Sequence, residues 1–259
     1  MGKLSKWIDR YWPFALICLI LCGGVEILVD RGVVPDFIIP KPSQVWHNLI
    51  DQGPALLDHA KLTLVEVGLG LVFSIGLGVV IGVLLYYSRF MERAFYPFVL
   101  ISQTIPTIAL SPIFVLWFGY EIWTKVAIIF LITFFPIVVA VFDGLKRTDS
   151  EYLELFRVME ASRWQRFYYL QWPMALPGIY SGIKLAVIYS LIGAVIGEWL
   201  GGNAGLGYYI RRMSSSIKAE GVFAGIIALS VMGIVLFNLV SLLENHSLKY
   251  LNQERRKDR

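Results

Sequence analysis

The sequence predicts an all-α integral membrane protein that forms one domain, residues 1–259, with about six transmembrane helices. Hydrophobic residues make up 57% of the chain and charged residues only 16%, whereas soluble domains average about 25% charged residues. The apolar residues also form continuous runs, and a bilayer core is spanned by helices of about 20 such residues. A soluble enzyme and a disordered or fibrous chain are therefore excluded.

Six stretches with few or no charged residues locate the spans, because charge is costly in the bilayer core. The stretch 62–88 contains one charged residue, Glu66, and the stretch 94–119 contains none. We expect transmembrane helices at about residues 11–29, 62–88, 94–119, 124–142, 182–200 and 221–243. No small-residue cleavage site follows the first run, so a retained span is expected rather than a signal peptide.

Lysine and arginine residues indicate the orientation of the helices. With the N-terminus inside, fifteen of them fall in the inside segments and seven in the outside segments. Positive residues concentrate on the cytoplasmic side of membrane proteins. The sequence therefore predicts a multi-pass protein of the bacterial plasma membrane with both termini in the cytoplasm. The positive charge lies at the ends of apolar runs, which argues against nucleic-acid binding.

Two segments on the predicted outer side differ in character. Ser43–Leu57 follows Pro42 and has apolar residues at helical spacing, so we expect an interfacial helix there. Gly201–Glu220 is rich in glycine and serine and is expected to be a loop.

The inside connection 143–181 carries the strongest functional signal. Ser150 is a plausible N-cap, Ala161 and Ser162 begin a second short helix, and Pro173 and Pro177 are expected to break or kink the run. The pattern predicts a helix–turn–helix element just outside the membrane. By physical reasoning it is either an amphipathic element on the inner leaflet or a docking site for a cytosolic partner.

This connection resembles the EAA loop of ABC-importer permeases. That motif has the triplet Glu-Ala-Ala, a glycine, and then Ile-x-Leu-Pro at fixed spacing. The corresponding residues here are Glu154, Leu155 and Phe156 for the triplet, Glu160 for the glycine, Ala161, Ser162 and Arg163 after it, Leu170 for the isoleucine, and Pro173 at the end. The resemblance implies a coupling loop that an ATPase subunit grips.

Two departures from this pattern matter: Leu155 and Phe156 replace the alanine pair, and Glu160 replaces the glycine. A glycine would suit the turn between the two short helices, because glycine adopts positive φ without strain. With Glu160 the turn either avoids positive φ or is strained, and the carboxylate is an additional charge that could face the ATPase.

The resemblance extends over nearly the whole chain. It is closest to permeases of nitrate, sulfonate and taurine importers, and to similar ones proposed for the pyrimidine precursor of thiamine. The supporting stretches are Pro40–Ser43, Gln103–Pro106, Trp117–Tyr120, Phe135–Pro136, Asp143–Leu145, Glu198–Gly201 and Ala204–Gly207. The stretches Gln103–Pro106 and Glu198–Gly201 favour the pyrimidine-precursor branch.

The resemblance implies a type I ABC-importer permease fold and a function in ATP-driven import of a small organic or anionic nutrient by alternating access. The expected partners are a second permease copy, cytosolic ATPase subunits, an extracytoplasmic solute-binding protein and membrane lipid. The chain has no G-x-x-x-x-G-K-[ST] motif, so ATP and magnesium are expected on the ATPase, and the permease is expected to be neither an enzyme nor a cofactor protein. The alternative is a secondary transporter or channel without an ATPase.

Polar residues within the spans are candidates for the translocation path. Ser102, Gln103 and Thr104 form a cluster in the third span, and they either line a pore or make interhelical hydrogen bonds. Glu66 and Glu198 are ionisable groups near predicted outer ends, where they contact solute, reach interfacial water or, for Glu198, anchor the outer loop.

Glycines recur at four-residue spacing in two spans, at Gly78 and Gly82 and from Gly193 to Gly205. Such stripes permit close helix packing, within the chain or at a dimer seam. The three histidines do not cluster, and none of them pairs with Cys18 or Cys22, so we expect no metal site.

Overall fold

The structure, a computed structural model, describes residues 3–249, and it contains eleven α-helices within that range. They are α1 (Lys3–Asp30), α2 (Pro42–Asp51), α3 (Gly53–Tyr87), α4 (Arg89–Ser102), α5 (Thr107–Phe118), α6 (Ile122–Lys146), α7 (Ser150–Val158), α8 (Arg163–Arg166), α9 (Trp172–Gly201), α10 (Leu206–Ser215) and α11 (Ala219–Ser247). A π-helical turn, Phe167–Gln171, joins α8 to α9. Residues 3–249 contain no strand, which confirms the all-α prediction.

Helix α6 lies at the centre of the bundle, packed along its length against both α3 and α9. The core is aliphatic and includes Val67 of α3, Ile129 and Val141 of α6, and Ala186 of α9. Since lipid is as apolar as these side chains, close van der Waals packing rather than exclusion from water holds such helices together.

Glycines allow this close packing. A Cβ added at Gly78 would lie 2.8 Å from Ile137 Cγ2 of α6, and a Cβ at Gly193 would lie 3.0 Å from the Cα of Ile129. Gly82 and Gly197 also face α6. Both glycine stripes therefore serve packing within the chain, and these four positions do not form a seam for a second copy.

Several helices of the described chain are long and apolar enough to cross a membrane. They are α3, α6, the continuous stretch Arg163–Gly201 and α11, and the bent pair α4–α5 makes a fifth such element. The 28-residue helix α1 covers the predicted first span, 11–29. The prediction of a multi-pass helical protein is therefore confirmed, with its count of six spans approximate.

The third predicted span, 94–119, is not a continuous helix. Helix α4 ends at Ser102 and α5 begins at Thr107, and the two helices are bent by 99° relative to each other. Pro106 is the N-cap of α5. Proline has no amide hydrogen and disfavours a helical conformation in the residue before it, so Pro106 weakens a helix at this position and favours the observed break.

One end of the bundle carries α2 and α10, and it is called the opposite end because it lies away from the connection between α6 and α9. Two further helix boundaries at this end differ from the sequence prediction. Helix α3 begins at Gly53, so the predicted outer helix Ser43–Leu57 is divided between α2 and α3. Helix α10 occupies part of the segment Gly201–Glu220, which was predicted to be a loop. Its N-terminus depends on contacts with α3 and α9 that local composition does not reveal.

The connection between α6 and α9 lies at the other end, called the loop end, and is shorter than the predicted 143–181. Helix α6 continues to Lys146, and we call residues 147–171 the EAA-like loop. Asp149, not Ser150, is the N-cap of α7, and its side chain accepts a hydrogen bond from the Glu151 amide at 3.1 Å. Proline at position 177 lies inside α9 without ending it.

Pro173 lies in the first turn of α9, where a missing amide hydrogen is tolerated. The cytoplasmic position of both termini stays a prediction. Some of the basic residues that support it lie outside the described residues, namely Arg255, Arg256, Lys257 and Arg259.

Candidate functional site

A cavity of about 480 Å³ lies beside the break between α4 and α5. Ser102 and Gln103 line it at the end of α4, and Tyr189 of α9 lines it from across the bundle. The remaining wall is mostly apolar and includes Phe135 and Ile192. Among the described residues that line this cavity none is charged, so the cavity offers hydrogen-bonding groups on an apolar surface.

A second polar site lies at the opposite end, where the N-terminus of α10 meets α3 and α9. The first backbone amides of α10 have no partner within that helix, and side chains from other helices accept their hydrogen bonds. The Gly205 amide donates to His59 Nδ1 at 3.0 Å, and the Leu206 amide donates to Thr63 Oγ1 at 2.9 Å. The Gly207 amide donates to Glu198 Oε2.

Glu198 is the central member of this N-terminal cap. Its side chain is fully buried, and Thr63 Oγ1 donates to its Oε1 at 2.6 Å. A carboxylate is favourable at this position because a helix N-terminus carries partial positive charge. This arrangement agrees with the prediction that Glu198 anchors the segment after α9. The alternative prediction, that Glu198 reaches interfacial water, is wrong because its side chain is buried.

Glu66 lies beside Glu198 in the same buried cluster and is 1% exposed. Its Oε2 has no hydrogen-bond partner among the described residues. Lys125 is nearby, but its Nζ donates to the carbonyl oxygens of Tyr120 at 2.7 Å and Glu121 at 3.2 Å. Interfacial water therefore does not reach Glu66, contrary to the sequence-based expectation.

The EAA-like loop projects from the loop end with apolar side chains in the open. Among the residues that the structure describes, helix α7 has no buried one. Leu155 is 53% exposed and Met159 is 68% exposed, and with Tyr152 they share one face because they recur at helical spacing. Glu154 is also exposed, and Phe156 is half-buried.

The turn between α7 and α8 is left-handed at Glu160, where φ is 54°. The hypothesis that this turn avoids positive φ is therefore wrong, and the alternative of backbone strain applies. Ala161 follows, and Ser162 caps α8 in a capping box with Gln165, whose amide donates to Ser162 Oγ at 3.2 Å. The loop is therefore locally well defined although it is exposed.

The rest of the predicted motif leads back into the bundle. Arg163 is the first residue of α8, and Leu170 is buried in the π-helical turn. The EAA-like loop thus begins with the exposed helix α7 and ends at the buried side chain of Leu170.

The five candidate path residues fall into two groups. Ser102 and Gln103 line the cavity at the α4–α5 break, while Thr104 is exposed and its Oγ1 donates to the Ile101 carbonyl at 2.7 Å. Glu198 caps α10, Glu66 lies beside it in the same buried cluster, and neither residue lines that cavity.

Sequence reasoning missed His59, Thr63 and Lys125. A signal for the first two was present, since His59, Thr63 and Glu66 recur at helical spacing within one apolar helix and must share a face.

A bundle of long apolar helices, with a broken helix beside a cavity and an exposed EAA-like loop between two spans, is the architecture of a membrane permease. The chain belongs to the family of binding-protein-dependent transport system inner membrane components, whose model matches residues 74–248. It is therefore a permease of an ABC importer and not an enzyme, and the family implies ATPase and binding-protein partners.

Relatives agree with this assignment, and a solved structure agrees with the fold. The chain is 46% identical, over 86% of its length and 90% of the relative, to the formylaminopyrimidine transport permease protein ThiX of Halalkalibacterium halodurans. It is 33% identical, over 88% of its length and 83% of the relative, to a putative aliphatic sulfonates transport permease protein SsuC of Bacillus subtilis. An inward-facing structure of the MetNI methionine ABC transporter superposes with a TM-score of 0.65 at 20% identity, covering 77% of this chain and 97% of that one.

Proposed function

We propose that this permease imports a formylaminopyrimidine-type nutrient, the class of solute named for its 46% identical relative. The observation that carries the proposal is the cavity beside the α4–α5 break, whose described lining has hydrogen-bonding groups and no charge. An aminopyrimidine is a flat, uncharged ring with several hydrogen-bonding atoms. Sulfonates, taurine and nitrate carry an anionic group, and such a group would enter this cavity without a cationic partner.

The side chains suit such a ring. Gln103 can donate and accept hydrogen bonds at once, as an aminopyrimidine requires, and Ser102 adds a hydroxyl group. Phe135 and Tyr189 provide aromatic surface in the same cavity. We assign Ser102 and Gln103 to the translocation path, Glu198 to the cap that holds α10, and Glu66 to the buried cluster beside that cap.

The EAA-like loop is proposed as the ATPase-coupling site, with Glu154, Leu155, Phe156 and Glu160 among the residues that the ATPase contacts. The exposed apolar face of α7 supports this role, because exposed apolar patches on a projecting element are typical of interaction sites. ATP-driven closure of two ATPase subunits would move two such loops together and shift the bundle between inward-facing and outward-facing states. ATP and magnesium would be bound by the ATPase.

The proposed assembly is a permease homodimer in which the loop end faces the cytoplasm. This orientation follows the distribution of lysine and arginine in the sequence. The opposite end, with α2 and α10, would then meet the solute-binding protein.

The test is uptake by proteoliposomes that contain the permease, its ATPase subunits and its solute-binding protein. We expect ATP-dependent accumulation of labelled formylaminopyrimidine, and little accumulation of taurine or nitrate. Gln103→Leu keeps the size of the side chain but removes its hydrogen bonds, and we expect about tenfold slower uptake. Thr104→Val is the matched variant, since Thr104 does not line the cavity, and its effect is expected to be smaller.

Two results would contradict the proposal. Faster uptake of taurine or nitrate than of the pyrimidine would reject the solute class. Equal uptake with and without the ATPase subunits would reject ATP coupling and favour the secondary transporter or channel.

A further inference from the structure

A second cavity, of about 370 Å³, lies at the loop end between the end of α3, the start of α4, the end of α6 and α8. It is separate from the cavity at the α4–α5 break, with which it shares no lining residue. Its wall is mainly polar, and it includes Arg89, Arg163 and Arg166.

The cavity has a clear excess of positive charge. Three guanidinium groups and Lys146 line it, while Glu92 is the one acidic residue among the described lining residues. Glu92 already forms an ion pair with Lys146. The three arginines therefore have no carboxylate partner within this cavity, and a concave surface with charge of one sign concentrates counter-ions.

Two polar residues of the wall, Gln171 and Arg166, differ in their hydrogen bonding. Gln171, in the π-helical turn, is buried, and it donates to the Tyr86 hydroxyl and accepts from the Tyr87 hydroxyl at 3.3 Å. Arg166 is different, because its Nε is buried and has no hydrogen-bond partner among the described residues. A buried donor without a partner is unusual in a folded protein, and an acceptor bound in the cavity would supply that partner.

We propose that this cavity binds the phosphate group of an anionic phospholipid headgroup. Planar guanidinium groups match the geometry of phosphate oxygens, and they form strong charge-assisted hydrogen bonds with them. Basic pockets between transmembrane helices commonly bind anionic headgroups. Phe90 and Trp164, each next in sequence to a lining arginine, are exposed, and exposed aromatic residues at helix ends are typical of the headgroup region.

The site would connect lipid composition to the position of the EAA-like loop. Helix α8 supplies Arg163 and Arg166, and it directly follows the turn at Glu160. A phosphate held jointly by α8 and by Arg89 of α4 would tie the base of the loop to the start of the broken span. This goes beyond the proposed solute and is independent of it, since lipid binding requires no transport.

The test is native mass spectrometry of the purified full-length chain, titrated with phosphatidylglycerol or phosphatidylcholine. We expect at least one phosphatidylglycerol to bind more tightly than phosphatidylcholine, and Arg166→Gln to weaken that binding about tenfold. Arg147→Gln is the matched control, because it removes an exposed arginine at the same end that does not line the cavity. Arg166→Lys retains the charge and is expected to lose less affinity than Arg166→Gln, and thermal unfolding checks that each variant is folded.

Inorganic phosphate is the second arm. If it displaces phosphatidylglycerol from the wild-type chain but not from Arg166→Gln, the phosphate site is supported. If inorganic phosphate binds as tightly as the lipid, the phosphate site is supported with a soluble source in place of the headgroup. Equal lipid binding by Arg166→Gln and Arg147→Gln would overturn the proposal. Unchanged lipid binding by Arg166→Gln would also overturn it, and if that variant lost the ATPase subunit when the two are purified together, the cavity would be a protein-docking site.

Discussion

Thr63 Oγ1 lies 2.6 Å from Glu198 Oε1, although the two residues are separated by 135 positions in the chain. The same Thr63 oxygen accepts the Leu206 amide at 2.9 Å, so one hydroxyl group joins α3, α9 and α10. The hydroxyl group donates one hydrogen bond to the buried Glu198 side chain and accepts another from the Leu206 amide, which has no partner within α10. The start of α10 is therefore fixed by side chains of two long helices.

The first prediction concerns this hydroxyl group. Thr63→Ala removes the acceptor of the Leu206 amide and one of the hydrogen bonds to Glu198, and we expect destabilisation of about 1–3 kcal/mol. Thermal unfolding of the purified chain in detergent measures the loss. Thr63→Ser keeps the hydroxyl group and is expected to remain close to wild type. Equal unfolding temperatures for Thr63→Ala and Thr63→Ser would show that the hydroxyl group is not what holds α10.

The second prediction concerns the glycine that makes room for Glu198. Gly205 has φ of 106°, and a Cβ there would lie 2.2 Å from the Glu198 carboxyl carbon. Gly205→Ala is thus both strained and sterically blocked, and we expect a loss of at least about 1–3 kcal/mol, measured by thermal unfolding.

A glycine in α3 provides the control for Gly205→Ala. A Cβ at Gly76 would have no atom within 4 Å, so Gly76→Ala is expected to be neutral or slightly stabilising. If Gly76→Ala destabilised the chain as much as Gly205→Ala, the effect at Gly205 would not come from its contact with Glu198.

How far the sequence predicts this site depends on the range of the interactions. Glu198, Gly205 and Gly207 stand close together in the chain, and the sequence already suggested Glu198 as an anchor for the segment that follows. The acceptors His59 and Thr63 come from a distant helix. No local pattern states that two helices far apart in sequence will meet at the start of a third, although polar residues at helical spacing in an apolar helix mark the face concerned.

The broken span shows a different limit of sequence prediction. The composition of 94–119 predicted one apolar span. In the structure Pro106 and the residues before it separate two helices, whose axes are bent by 99° relative to each other. The proline was visible, but many membrane helices contain proline without breaking, and Pro136 and Pro177 here lie within continuous helices. Tertiary packing decides between a kink and a break.

The third prediction addresses the strained turn at Glu160. Asparagine tolerates the left-handed conformation better than most residues, whereas a β-branched side chain does not. Glu160→Asn and Glu160→Val remove the same charge, so a difference between them reports the backbone. We expect Glu160→Val to loosen α7 and Glu160→Asn to leave it intact, with hydrogen–deuterium exchange over residues 150–166 as the measurement.

The outcome at Glu160 separates two roles for that residue. If Glu160→Asn and Glu160→Val exchange alike but both lower ATPase-coupled uptake, the carboxylate itself faces the ATPase. If only Glu160→Val lowers uptake, the left-handed turn is what coupling requires.

The fourth prediction concerns the proposed grip of the ATPase on α7. Glu154→Lys reverses an exposed charge without removing a packing contact of the bundle, since α7 has no buried residue in the described structure. We expect the variant to insert into the membrane and to have the unfolding temperature of the wild type, but to lose ATP-coupled uptake in proteoliposomes.

Leu155→Asp places a charge on the exposed apolar face and is expected to release the ATPase during purification. Glu151→Lys, in the first turn of the same helix, controls for added positive charge and is expected to retain more uptake. Uptake by Glu154→Lys at the wild-type rate would remove Glu154 from the coupling contact, and full retention of the ATPase by Leu155→Asp would remove the apolar face as well.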